Sequence, residues 1–88
     1  MSQDNKILNR KILARKVIEL RTRADISREE LSLALGFDNS YISKLEKCKI
    51  NITIDKLTQI ADYFDVELRD LFSNEHTSLR NYGKRQSR

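Results

Sequence analysis

The sequence predicts an all-α fold, a compact bundle of about five short helices, and three observations predict it. Apolar residues recur at helical rather than alternating spacing: Leu13, Val17, Leu20 and Ala24 fall at i, i+4, i+7 and i+11, and Leu57, Ile60, Ala61 and Phe64 repeat the pattern later. Three helix starts carry a hydrophobic staple, an apolar residue before the helix matched by one in its first turns: Ile26 with Leu31, Phe37 with Ile42, and Ile52 with Leu57. Ser27 and Glu30 have the S-x-x-E spacing of a capping box, in which hydroxyl and carboxylate reciprocally satisfy free amides at a helix start.

Taken in order, residues 1–6 read as a flexible start, 7–72 as the folded domain and 73–88 as a polar, basic tail. The first helix carries the Leu13–Ala24 stripe, has basic outer faces, and ends at Ala24 and Asp25. A second helix begins at Arg28, with Leu31 and Leu35 inward, and Gly36 follows where a left-handed residue lets the chain leave it. Phe37 turns inward. Asp38 is placed to cap a third helix running to about Lys47, with Ile42 and Leu45 facing the core while Ser40, Ser43, Lys44 and Lys47 point outward. Thr53 caps a fourth helix, and Val66, Leu68, Leu71 and Phe72 supply a short last one. Tyr41 and Tyr63 fit either the rim or the core by periodicity.

Eighty-eight residues, 39% of them apolar and with only three tyrosines and three phenylalanines as aromatics, support one small domain with a modest core. A net charge of +4 favours an anionic partner. Basic residues crowd the first third, including Lys6, Arg10, Lys11, Arg15 and Arg21, and return in the tail; between Asp55 and Asp70 the balance is acidic. Cys48 is the single cysteine and cannot form an internal disulfide, and the start lacks an apolar signal-like run, so a cytoplasmic chain is expected. His76, the only histidine, lies in the polar tail, so neither a His/Cys metal cluster nor a nucleophile–histidine constellation is expected. The chain reads as a non-enzyme without cofactor or metal.

The outward face of the third helix is polar, uncharged or basic, with no carboxylate between Asn39 and Leu45, which suits a nucleic-acid groove. Leu31, Gly36, Ile42, Ser43, Leu45 and Glu46 stand in the order found in the helix-turn-helix of the Cro and phage-repressor family, which residues 13–72 resemble. The resemblance implies a lambda-repressor-like fold whose third helix enters the major groove by its N-terminal end. It singles out Asn39, Ser40, Ser43 and Lys44 for base contacts: lysine donates to guanine O6 and N7, asparagine pairs with adenine, and the serines discriminate less. Arg28, where the family usually has glutamine, and Lys49, Asn51 and Thr53 at the next turn are implied phosphate contacts. Arg21 and Glu46 match positions that form a partly buried ion pair in the family. Asp25 and Cys48 stand where it often has glycine.

The resemblance implies a DNA-binding transcriptional regulator acting as a homodimer on a palindromic operator, and the text most resembles the small controller proteins of restriction–modification systems. The alternative is a helix-turn-helix antitoxin that binds a partner toxin and its own operator; the tail, the only spare segment for a toxin, is basic and poor in apolar anchors. The apolar residues left once one core is filled, Ile54, Val66, Leu68, Leu71 and Phe72, are the expected dimer interface, burial inside the monomer being the other reading of Leu68 and Leu71.

Overall fold

The structure, a computed structural model, describes residues 2–73; the tail expected beyond Ser73 lies outside the described residues. Four α-helices, α1 (Ser2–Arg23), α2 (Arg28–Ala34), α3 (Tyr41–Glu46) and α4 (Ile54–Phe64), are followed by a 3-10 turn over Leu68–Phe72, with no strand among the described residues. This is the all-α bundle that the apolar spacing predicts.

The first helix is longer than expected. It runs back to Ser2 through the segment read as a flexible start, because the text from Asn5 to Ile12 contains neither glycine nor proline to stop it. At its other end Ala24 is exposed rather than part of the stripe, since the helix closes at Arg23 and the chain turns away through Asp25 at φ 56°. The buried face is instead Leu13, Ala14, Val17 and Leu20. Lys16 is buried as well, with its ammonium 3.1 Å from Glu19 Oε1: the aliphatic stem packs while the charge is paired.

Helix α3 packs against α1 and α2, and the 3-10 turn packs onto α1 and α4. Leu20, Leu31, Ile42, Ile60 and Leu71 are the largest of the fully buried apolar side chains, so every helix contributes to one core. Thr53 Oγ1 accepts from the Lys56 N–H at 3.2 Å and starts α4; Asp65 ends it at φ 58°, a left-handed residue that folds the chain back toward α1. That reversal corrects the interface expected from sequence. Val66 and Leu71 are 2% and 0% exposed within the single chain, because the 3-10 turn closes the open end of the bundle, and they offer no surface to a second copy. Ile54 and Phe72 remain exposed and Leu68 half-buried. Tyr63, 44% exposed, is a rim residue packed edge-on against Phe64.

Candidate nucleic-acid interface

The capping box holds the start of α2. The Glu30 N–H donates to Ser27 Oγ at 3.0 Å and the Ser27 N–H donates to Glu30 Oε1 at 2.8 Å. The Ser27 backbone bond, and then its hydroxyl, hold the Glu30 carboxyl below the usual carboxylate range. At the other end Gly36 adopts φ +78° in open space, so glycine is required there for its backbone and not for want of room. The Phe37 N–H then donates to Ser32 O at 2.8 Å, and the chain is turned toward α3.

The turn into α3 differs from the expected cap. Asp38 accepts from the Ser40 N–H at 3.1 Å and from the Ser40 hydroxyl, and these bonds, the hydroxyl first, hold its carboxyl below the usual range with a smaller contribution from Lys44. The Asp38 carboxylate thus closes a local turn two residues long. The helix begins only at Tyr41, and Asn39 and Ser40 lie ahead of it. The amide that Asp38 leaves to another partner belongs to Ile42: its N–H donates to Ser32 Oγ at 3.0 Å, while the Ser32 hydroxyl donates to Arg28 O at 2.9 Å. Ser32, fully buried on α2, therefore satisfies the first turn of α3 and sets the two helices against each other.

A second link runs through Glu46 at the end of α3. Arg21 Nε donates to Glu46 Oε2 at 2.8 Å and Nη2 to Oε1 at 3.3 Å, a bidentate pair, and Arg21 Nη1 also donates to the Ile26 carbonyl at 3.1 Å. The glutamate side chain is 4% exposed and the arginine 18%. Arg28 Nη1 stands 3.9 Å from the same carboxylate with its own side chain 52% exposed. A third link comes from α4. Lys56 Nζ lies 4.7 Å from the Tyr41 ring centre and 5.4 Å from that of Phe37, and the two rings are 4.8 Å apart. Burial among these groups raises the Tyr41 hydroxyl above its ordinary pKa.

On this scaffold Asn39 and Lys44 are exposed and Ser40 and Ser43 half-exposed, with the Ser40 hydroxyl engaged by Asp38. Arg28 is the first residue of α2 and is exposed. Lys49, Asn51 and Thr53 are exposed along the loop between α3 and α4, the Thr53 oxygen serving as the α4 cap. Sequence reasoning missed Ser32 and Lys56. Ser32 carries a sequence signal, a serine one position after the inward Leu31, but its partner depends on the angle between helices; the Lys56 stack joins residues too far apart in the chain for periodicity to pair them.

The profile of the Helix-turn-helix family matches residues 17–71. Among solved structures the chain is similar to a hypothetical transcription factor, NHTF, from Neisseria, with a TM-score of 0.71 and 28% identity over 74% of this chain and 75% of that one. It is likewise similar to the restriction–modification controller protein C.AhdI from Aeromonas hydrophila, with a TM-score of 0.67 and 30% identity over 72% of this chain and 96% of that one. No curated protein matches. The paired helices, the glycine turn between them and this match over most of the folded residues place the chain in the Helix-turn-helix family of DNA-binding transcription regulators.

Proposed function

We propose that the chain is a sequence-specific transcriptional regulator that binds a palindromic operator as a homodimer, and that it serves as the controller of a restriction–modification system. One observation carries the reading: the outward face of α3 presents Ser43 and Lys44, with Asn39 just ahead of it and no carboxylate between Asn39 and Leu45, on a helix tied to α2 by Ser32 and to α1 by Glu46. A helix fixed at both ends holds donors at a constant spacing, as readout of base edges requires. The controller assignment is supported by the likeness to C.AhdI, nearly the whole of which is covered.

In this reading Lys44 and Asn39 contact bases with Ser43 and Ser40 beside them, and Arg28, Lys49, Asn51 and Thr53 contact phosphate. The two roles separate in a binding experiment. Arg28→Ala is expected to weaken binding to all duplexes alike and to lower the slope of log K against log salt by about one, because a lost phosphate contact releases one counterion fewer. Lys44→Ala is expected to cost about 1–3 kcal/mol at one operator position and to relax base preference there. Indistinguishable sequence profiles for the two variants would contradict the assignment.

A further inference from the structure

The first turns of α1 precede residue 17, where the family match begins, and they carry a feature that the helix-turn-helix does not. At 100° per residue, Lys6 falls between Leu13 and Val17 in projection down α1, and Arg10 about 20° beyond Val17. The face that is apolar where it meets the core is therefore cationic one and two turns earlier. There it meets the loop between α3 and α4: Lys6, Asn9 and Arg10 line an open cleft of about 240 Å³ with Asn51, over a floor that includes Ile50 and Phe72. Arg10 Nη2 donates to Asn51 Oδ1 across it, which uses one of five guanidinium N–H donors and leaves the Asn51 amide NH2 directed away from that bond. Among the described residues lining the cleft there is no carboxylate.

We infer that Lys6 and Arg10 form, with Asn51, an additional phosphate-binding site that grips the DNA backbone beside the recognition helix. The inference rests on the DNA-binding reading and deepens it. Charge complementarity selects the occupant: two cations and two amides without an acid favour a polyanion, and Asn51 belongs to the loop that follows α3, so the occupant nearest to hand is the strand that α3 approaches. Arg10 also orients Asn51, so the loop and the helix extension act as one clamp.

The test is the salt dependence of binding to a fluorescein-labelled duplex of mixed sequence, read by anisotropy with the full chain. Lys6→Gln with Arg10→Gln is expected to lower the slope of log K against log salt by about two, since each phosphate contact contributes about 0.9. Lys6→Gln alone, at an exposed position, is expected to lower it by about one, which keeps the test decisive if the double variant folds poorly. Lys11→Gln with Arg15→Gln removes the same charge from exposed positions about 120° or more around the helix from Val17 and is expected to leave the slope unchanged. A slope unaltered by the Lys6 and Arg10 variants, or lowered equally by the Lys11 and Arg15 pair, would overturn the site while leaving the DNA-binding reading intact. Failure of the wild-type chain to bind duplex DNA would overturn both.

Discussion

Glu46 is where three segments converge: Arg21 from α1 bonds both of its oxygens, Arg28 from α2 stands 3.9 Å away, and Glu46 is itself the last residue of α3. Removing it leaves a largely buried guanidinium without its main acceptor. For a fully buried pair that loss is about 3–5 kcal/mol, and the residual exposure of Arg21 brings the expected cost of Glu46→Ala to the lower end. In a domain whose whole stability is about 5–15 kcal/mol the urea midpoint should fall clearly. Arg21→Met with Glu46→Leu is expected to recover part of the loss, because the pair is then replaced by packing rather than broken. An unchanged midpoint for Glu46→Ala would mean that the ion pair contributes nothing. Such pairings are legible in sequence only through resemblance, since residues 25 apart meet by the fold and not by any local rule. Ser32 illustrates the remainder: its hydroxyl would be read from sequence as an interior helix serine bonded to its own backbone, which it is, yet the acceptor role toward Ile42 exists only once α2 and α3 cross.

Helix identities and most boundaries follow from local chemistry. Capping at Ser27 and Thr53, the staples and the glycine at 36 act within a few residues, so the text reports them directly. Two boundaries escaped for opposite reasons. The start of α1 carries no stop signal and so could not be placed, and the start of α3 was displaced because Asp38 bonds to Ser40 instead of capping the helix. Left-handed helix ends are the other common theme: Asp25, Cys48 and Asp65 all have positive φ without being glycine. Aspartate tolerates that region better than most residues, whereas cysteine has no compensating local bond. Cys48→Gly is therefore expected to leave the domain at least as stable as it is, and Cys48→Val to lower its stability by about 1–2 kcal/mol, since a branched Cβ is the worst fit at φ 62°. Chemical denaturation of the two variants checks this, and equal midpoints would show that the turn relaxes to a different backbone.

A single α3 with a handful of contacts reads few base pairs, each contributing about 1–3 kcal/mol, which is too little to select one site in a genome. Two copies related by a twofold axis double the readout and impose palindromy on the operator. In the proposed dimer the burial of Val66 and Leu71 within the single chain leaves Ile54, Leu68 and Phe72 as the apolar residues expected to meet a partner copy. Sequence could not separate Val66 and Leu71 from Leu68 and Phe72, because all four are apolar residues after α4 and only the reversal at Asp65 decides which of them turns inward. Selection of bound duplexes from random-sequence DNA by the full chain reads out the number and arrangement of half-sites. A dimeric regulator is expected to enrich a site made of two inverted half-sites about 10 base pairs between centres, spaced for recognition helices about 34 Å apart. Recovery of a single unrepeated half-site, or of no enriched sequence at all, would contradict it.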